Sequence, residues 1–575
     1  MYYSGGDIIG AAPFLPVTGK EMESLGWDSC DIVLISGDAY VDHPSFGTAI
    51  IGRYLESIGY RVGIIPQPDI TAKEDFLRLG IPKLFVGITS GAMDSMVNHY
   101  TSLKRIRSND AYSEGGIPGK RPDRAVLKYV NMAQRSMPGV PVVIGGIEAS
   151  LRRLSHYDYW SDKVRKSILL DTKAAILVYG MGEKAIGEIA DALSSGRSIK
   201  GIRGTAVFVS QKALNGLDVG KYIELPSHEE VSGNMEKFIR MTEILEEEIN
   251  PWCGSTLVQK ADSRAVVVYP PQYPLSTEEM DRVYELPYAR EPHPIYTEVI
   301  PAFSMIRNSI TVVRGCAGGC SFCALGLHQG KLISSRSRNS VLREVKSLTG
   351  KSYFRGTITD LGGPTANLYG LGCANDKALR KCRRYSCLYP EICDNFRTDH
   401  SPYIELLEAV ANIPEVRNVF VGSGIRYDVA LRDRRFIEKL VRDNVSGYLK
   451  IAPEHFDPEV LKLMRKPSPD LWRKFKVLFE DISEKAGKKQ YIEPYILVAV
   501  PGCDMKQMHI AAAELRRQNM RPEKAQIFLP TPMTMATAMY YSGINPETGR
   551  GIYVARKPSL KRNQLQSLPG HSKTR

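Results

Sequence analysis

The first half of the chain alternates between short apolar runs and amphipathic segments. Residues 30–36 (CDIVLIS) form an apolar run of strand length, and residues 46–59 (FGTAIIGRYLESIG) follow with helical periodicity and a terminal glycine. Buried strands separated by helices predict a parallel sheet covered on both faces. We therefore expect an α/β Rossmann-like domain over residues 1–300. Similar apolar runs recur at 61–66, 83–88, 140–146 and 173–180.

A second alternation begins near residue 301. Six strand–helix units in succession predict a partial (β/α)6 barrel over residues 301–555, with ligands at the carboxyl ends of its strands. An irregular, cysteine-rich insert at about residues 364–400 follows the second strand. Residues 556–575 contain six Lys or Arg and no acidic residue, which favours a disordered basic tail. The predicted barrel strands are 310–315, 356–363, 418–424, 447–454, 493–502 and 524–530.

Composition narrows the class of protein further. With 43% hydrophobic and 24% charged residues among 575, the chain is neither wholly disordered nor a disulfide miniprotein. A net charge of +13 permits nucleic acid as a partner but does not require it. The start of the chain lacks a secretory pattern, and no apolar run approaches the roughly 18 residues of a membrane span. We expect a cytoplasmic protein with reduced thiols and no membrane partner.

Seven of the ten cysteines lie between Cys316 and Cys393. Cys316, Cys320 and Cys323 follow the first predicted barrel strand with the spacing CxxxCxxC, and three soft thiolates on one loop suit iron–sulfur ligation. Three donors would leave one iron of a [4Fe–4S] cluster open to another ligand. The alternative is a zinc loop completed by a residue such as His328, but zinc loops more often use paired CxxC elements.

A second cysteine group lies in the insert and consists of Cys373, Cys382, Cys387 and Cys393. The segment has little regular periodicity, so a metal could order it. Its basic residues would favour thiolates. The spacing fits neither a common zinc pattern nor a common iron–sulfur pattern, so an auxiliary iron–sulfur cluster and a structural zinc both stay open, beside the alternative of buried thiols.

The motif CxxxCxFC resembles the signature of radical S-adenosylmethionine (SAM) enzymes. The wider sequence, including GDAYVDHPSFGTAIIGRYLESIGYRVGIIPQP, GGIEASLRR, LHQGKLISSRSRNS, DLGGPTANLYG, KIAPEH and PTPMTMATAMYYSG, is similar to the YgiQ-type radical SAM proteins from about residue 12 to about residue 556. The resemblance implies that Cys316, Cys320 and Cys323 hold a [4Fe–4S] cluster. The open iron would bind SAM, whose reductive cleavage gives a 5′-deoxyadenosyl radical. A one-electron donor such as a ferredoxin or flavodoxin is implied, whereas the substrate is not.

The resemblance also places the SAM contacts at the ends of the next barrel strands. In relatives a Gly-Gly-Glu segment contacts the methionine amino group, but this chain has Pro364 in place of the acid, so only backbone acceptors carry over. The expected cofactor-binding residues are Gly362, Gly363, Ser423, Arg426 and Glu454. Of these, Arg426 would pair with the methionine carboxylate bidentately, through two N–H groups of its guanidinium, and Glu454 would accept a hydrogen bond from a ribose hydroxyl.

GGIEASLRR and GMGEKAIGEI resemble segments of the cobalamin-binding domains that precede some radical SAM barrels. In those domains a DxHxxG loop supplies the cobalt-coordinating histidine. Here Asp42 is adjacent to His43, so the spacing departs from that motif, and we expect no cobalamin. Two other functions stay open: a radical SAM enzyme that modifies RNA, as methylthiotransferases do, and a non-catalytic iron–sulfur protein.

Overall fold

The computed structural model describes residues 14–571 except 215 and 217–219. Within these residues, the N-terminal domain contains a nine-stranded sheet in the order β7-β8-β9-β6-β5-β4-β3-β1-β2. All pairs from β2 to β5 are parallel, and every residue of β1 is buried, as a sheet covered on both faces requires. The strands are β1 Ile32–Ser36, β2 Val62–Pro66, β3 Phe85–Thr89, β4 Val142–Gly145, β5 Ile176–Val178, β6 Thr205–Ser210, β7 Tyr222–Leu225, β8 Thr256–Ala261 and β9 Arg264–Val268.

The barrel strands appear in the predicted order. Parallel pairs join β10 to β12, β11 to β13, and β14 to β15 to β16. Strand β13 is shorter than its apolar run, because the amides of Gly422 and Ser423 bind the Asp360 carboxylate instead of a neighbouring strand. The predicted α/β fold with a partial barrel is confirmed. The strands are β10 Ser309–Thr311, β11 Thr357–Ile358, β12 Asp360–Gly362, β13 Asn418–Val419, β14 Tyr448–Glu454, β15 Tyr491–Val498 and β16 Lys524–Ile527.

Helices cover both domains, and short two-stranded ribbons connect the remaining segments. The ribbons pair Val41–Asp42 with Glu291–Pro292, His156–Asp158 with Lys163–Arg165, and Val313–Arg314 with Ser334–Ser335. The helices before the barrel are Gly19–Ser24, Gly47–Ser57, Lys73–Leu77, Ser95–His99, Ala125–Ser136, Gly146–Ser150, Ile168–Thr172, Glu183–Ser194, Gln211–Leu214, His228–Gly233, Met235–Glu247, Thr277–Tyr284 and Pro301–Ile306. Those of the barrel region are Leu325–His328, Arg338–Thr349, Asp376–Leu379, Ser401–Ala411, Tyr427–Ala430, Arg434–Asp443, Pro458–Met464, Pro469–Lys485, Met505–Arg517, Met535–Ser542 and Pro558–Gln566.

The basic C-terminal segment differs from its prediction. Pro558–Gln566 form a helix instead of a disordered tail, and Lys561 in this helix is fully buried. The Lys561 ammonium donates to the Tyr159 hydroxyl over 3.0 Å and lies over the rings of Tyr159 and Tyr540. These contacts compensate the burial of its charge. Composition alone could not show them, because both aromatic partners are distant in the sequence. Residues 572–575 lie outside the described part.

The two domains share one apolar core. Helix Met235–Glu247 of the first domain packs on helix Met535–Ser542 of the second, with the rings of Phe238 and Tyr541 5.0 Å apart. This packing fixes the sheet against the barrel. Among the described residues, no helix has the length and apolar character to cross a membrane.

Candidate active site at the carboxyl ends of the barrel strands

The cysteine loop, residues 315–323, follows the first barrel strand and turns tightly at two glycines. Gly315 has φ +82°, and a Cβ there would lie 2.0 Å from the Leu332 carbonyl oxygen. Gly319 has φ +61°, and its Cβ would lie 2.6 Å from the Cβ of Ser386. Ser321 secures the other side by donating to the Leu463 carbonyl over 2.7 Å. Glycine is therefore required at both turns to let the backbone approach its neighbours.

The three thiols of this loop are free and lie in a poorly solvated pocket. Burial raises the pKa of Cys316, and burial together with the neighbouring thiols raises the pKa of Cys323 to about 12. Thiolates in such a pocket need a compensating positive charge, which bound iron supplies. The donor chemistry of the loop therefore fits an iron–sulfur cluster.

The geometry does not fit a single zinc ion. In the described part of the chain, no three His, Cys, Asp or Glu side chains converge on one ion position. His328, the candidate fourth zinc ligand, instead lines a separate cleft with Arg153. Burial and the Arg153 charge lower the pKa of His328 to about 4. A cluster spreads its ligands over several irons and therefore does not require three thiols to converge on one ion.

Arg426 lies beside the cysteine loop but not as the sequence predicted. Its Nη1 atom is 3.6 Å from the Sγ atom of Cys320, while Nε donates to Asp428 Oδ1 over 2.9 Å and Nη2 pairs with the other oxygen of that carboxylate. The guanidinium nitrogens that were expected to bind the methionine carboxylate therefore bind a protein carboxylate instead. Arg426 pairs with Asp428 because this carboxylate is two positions away in the sequence, is buried and needs a countercharge. The role of Asp428 was missed from the sequence.

Gly362, Gly363 and Ser423 are brought together as predicted from strand order. A Cβ on Gly362 would lie 2.0 Å from the Ser423 hydroxyl oxygen, and one on Gly363 would lie 2.4 Å from the Val313 carbonyl oxygen. Ser423 also donates to Asp360 Oδ1 over 3.0 Å, so Asp360 organises the loop. The Gly362 carbonyl accepts the Val312 N–H within the sheet, which leaves Gly363 as the less committed backbone acceptor.

Glu454 ends strand β14 in an uncommon conformation. Its φ is +68°, and the pairing with β15 shifts register between Ile451 and Glu454. Such irregularities re-aim a side chain and are concentrated at functional sites. Burial raises the pKa of Glu454, against the opposing charge of Lys466. Among the described residues we find no hydrogen bond to its carboxylate, which leaves it available to a ligand.

The second cysteine group lines a cavity of about 550 Å³ next to the cysteine loop. The Cys387 amide donates to the Ala317 carbonyl over 3.0 Å, so the insert is fastened to the loop. Burial raises the pKa of Cys387 to about 11, and the other three thiols of the group add to that effect against the Lys331 charge. The structure thus brings all four predicted cysteines to one place. Lys331, which was missed from the sequence, lines the same cavity.

A second cleft, open to solvent, lies between the sheet and the barrel. Gly180 and Met181, which follow strand β5, form one wall, and residues 326–332 form the other. His328 Nδ1 is buried and has no hydrogen-bond partner among the described residues. His43, the candidate cobalt ligand, is buried elsewhere and does not line this cleft. The segment at residues 180–189 (GMGEKAIGEI) thus borders the cleft, whereas the loop that contains His43 does not.

The chain matches the Radical SAM N-terminal family over residues 14–309 and the Radical SAM superfamily over residues 310–480. It is therefore a member of the radical SAM superfamily. More particularly, the chain belongs to the UPF0313 family: it is 49% identical to the UPF0313 protein of Methanocella arvoryzae, covering 95% of this chain and 91% of that relative. The UPF0313 protein of Thermotoga maritima is also 49% identical, with 97% and 100% covered. The predicted YgiQ-type resemblance is confirmed, since YgiQ is the UPF0313 family.

The fold is similar to that of the radical SAM methyltransferase TsrM from Kitasatospora setae, solved with cobalamin and a [4Fe–4S] cluster bound. The two share 14% identity and a TM-score of 0.52, with 93% of this chain and 88% of that chain covered. The prediction against cobalamin is wrong, because a chain of the same two-domain fold accommodates this cofactor. The prediction relied on a local histidine motif, whereas the fold is a property of the whole chain.

Proposed function

We propose that this chain is a radical SAM enzyme that holds a [4Fe–4S] cluster on Cys316, Cys320 and Cys323 and cleaves SAM reductively. The observation that supports this is the placement of three half-buried, free thiols at the carboxyl end of a parallel barrel, where ligands bind. When bound on these cysteines, the cluster and SAM would supply radical hydrogen-abstraction chemistry, with the electron for SAM cleavage coming from an external one-electron donor.

The residues around the thiols have separate tasks in this proposal. Gly362 and Gly363 keep side-chain volume out of the site, and the Gly363 carbonyl accepts a hydrogen bond from the amino group of SAM. Glu454 accepts a hydrogen bond from a ribose hydroxyl with its carboxylate, to which no other described residue donates. Ser423 fixes the loop that follows strand β13 through its hydrogen bond to Asp360.

Arg426 acts as a positioning residue for the cysteine loop. The guanidinium group places a buried positive charge 3.6 Å from Cys320 Sγ and so fixes this side of the cysteine loop. Asp428 holds this group in place from its other edge.

The test is anaerobic reconstitution with iron and sulfide, followed by SAM and dithionite. We expect 5′-deoxyadenosine from the wild-type protein and none from Cys320→Ala, whereas Cys30→Ala, which removes a buried thiol of the first domain, keeps the activity. A wild-type protein with a full cluster that forms no 5′-deoxyadenosine would contradict the proposal and favour a non-catalytic iron–sulfur protein.

A second cofactor is favoured by the cleft between the sheet and the barrel. We propose that this cleft holds a corrinoid, with Gly180 and Met181 along one wall and His328 on the other, where its Nδ1 has no hydrogen-bond partner among the described residues. Hydroxocobalamin added to the apo-protein, followed by desalting, should give about one equivalent of bound corrinoid by absorbance. Substitution Met181→Trp should reduce that amount, and retention of no corrinoid by the wild-type protein would refute the assignment.

A further inference from the structure

We propose that the second cysteine group binds a second iron–sulfur cluster of the [4Fe–4S] type, separate from the site of SAM cleavage. The proposal does not depend on the proposed function, because none of its observations requires that SAM is cleaved. All four thiols line one cavity of about 550 Å³ and none forms a disulfide. Four thiolates are the usual complement of ligands for a cluster with no open iron.

The backbone of the insert brings the four thiols to the cavity with few regular elements. Cys373 forms an isolated bridge with Phe396, and the Cys393 amide donates to the Cys387 carbonyl over 2.9 Å. The only helix described between the 3₁₀ turn Ala366–Leu368 and Ser401 is the four-residue Asp376–Leu379. A metal centre that ties four points of such a segment together supplies cohesion that its small apolar core does not.

Lys331 provides an independent indication that negative charge belongs in this cavity. The residue is 2% exposed, and its ammonium lies 3.7 Å from Cys382 Sγ while also donating to the carbonyls of Cys382 and Arg384. In the described part of the chain, Lys331 forms no ion pair with a carboxylate. A buried ammonium without a countercharge is costly. A cluster held by four thiolates carries net negative charge and would compensate it.

A cluster and a single zinc ion place different demands on their cysteine ligands. Four sulfurs around one zinc ion lie about 3.8 Å from one another, as follows from a Zn–S distance of about 2.3 Å in a tetrahedron. Within the described residues, no three candidate ligands meet the requirement for a single ion. Neither the second cysteine group nor the cysteine loop thus offers three described side chains that converge on one ion. The thiols of the cysteine loop nevertheless fit a cluster. The two sites are also neighbours, since Cys316, Cys387 and Cys393 contact the same small apolar core.

Iron counting on the full chain tests the proposal. Two [4Fe–4S] clusters contain about eight irons, so the reconstituted wild-type protein should bind about eight and a protein with one cluster about four. The triple variant Cys316→Ala/Cys320→Ala/Cys323→Ala should keep about four irons, with an electron paramagnetic resonance signal that SAM does not change. The double variant Cys382→Ala/Cys387→Ala should also keep about four irons, and SAM should change their electron paramagnetic resonance signal. Cys30→Ala, the matched control, should keep about eight.

A variant that fails to fold would lower the iron content for another reason, so Lys331→Met provides a second measurement. It keeps every thiol and removes the buried charge beside Cys382. The midpoint potential of the SAM-insensitive cluster should shift to more negative values, because a nearby cation stabilises the more negative reduced state. Lys346→Met, which changes an exposed lysine, should not shift it.

Two results would overturn the proposal. One is a wild-type protein with about four irons, all in a cluster that responds to SAM, and the other is one equivalent of zinc in the second cysteine group. Both leave the proposed SAM cleavage intact. Conversely, eight bound irons without any 5′-deoxyadenosine would contradict the proposed function and support the second cluster.

Discussion

The guanidinium group of Arg426 lies between two acceptors, with Nη1 3.6 Å from Cys320 Sγ and Nε 2.9 Å from Asp428 Oδ1. All three residues are buried or half-buried. The buried positive charge is therefore shared between a carboxylate and a cysteine of the loop. The buried pair of Arg426 and Asp428 contributes to the stability of the apo-protein, and the same guanidinium group lies beside a thiol of the cysteine loop.

Replacing Arg426 with Met should destabilise the apo-protein, because Asp428 would keep a buried charge without a partner. Breaking a buried pair in this way costs about 3–5 kcal/mol. The double variant Arg426→Met/Asp428→Leu should recover much of that loss in thermal denaturation, yet both variants should bind less iron than the wild type. Equal melting temperatures for the single and double variants would show that the pair is not coupled.

Replacing Glu454 with Gln should weaken SAM binding by about tenfold or more, in line with the loss of a hydrogen bond to a charged acceptor. The iron content should stay unchanged, since Glu454 is not a thiol ligand. Binding can be measured by titrating SAM into the reconstituted protein. Glu459→Gln, an exposed change on the following helix, is the control. Unaltered SAM affinity in Glu454→Gln would remove this residue from the site.

Replacing Gly362 with Ala should disrupt the SAM site without unfolding the barrel. The new Cβ would lie 2.0 Å from the Ser423 hydroxyl oxygen and must displace it. We expect at least a tenfold loss of 5′-deoxyadenosine formation with normal iron content. Gly233→Ala, where a Cβ meets nothing within 4 Å, should behave as the wild type. Full activity of Gly362→Ala would mean that Ser423 can move freely.

Acidification should destabilise the apo-protein through buried histidines such as His400. Burial lowers the pKa of His400 to about 4, against the opposing effect of Asp433, whereas an unfolded histidine titrates near 6.5. The unfolded state then binds more protons, so the contribution of His400 is complete above pH 6.5 and is lost as the pH falls towards 4. The melting temperature should fall between pH 7.5 and 5, and less steeply in His400→Gln. An identical slope would contradict a neutral, buried His400.

Removing the C-terminal helix should destabilise the protein. Gln564 accepts the Ala499 amide over 2.8 Å and donates to the Cys503 carbonyl over 2.7 Å, so it satisfies buried backbone groups at the end of β15. Gln564→Ala should cost about 1–3 kcal/mol, measured as a lower melting temperature. Arg562→Ala, an exposed change in the same helix, should cost little. Equal stability of the two variants would restore the disordered-tail interpretation.

The sequence alone determined the features that depend on local patterns. Alternating apolar runs and amphipathic segments predicted the two α/β domains, because strand and helix periodicities are properties of neighbouring residues. The spacing of Cys316, Cys320 and Cys323 predicted a three-thiol loop for the same reason. Strand order then placed Gly362 and Ser423 at one end of the barrel, and the structure brings them into contact.

Only the tertiary structure decided which charged groups pair. Arg426 holds Asp428 rather than leaving its fork open, Lys331 is buried against Cys382 51 positions away, and Lys561 meets Tyr159 402 positions away. Such contacts have no signal in composition or periodicity, since a buried charge is compensated by whichever group the folded chain brings close. Of the basic residues that suggested a solvated tail, Lys561 is for this reason internal.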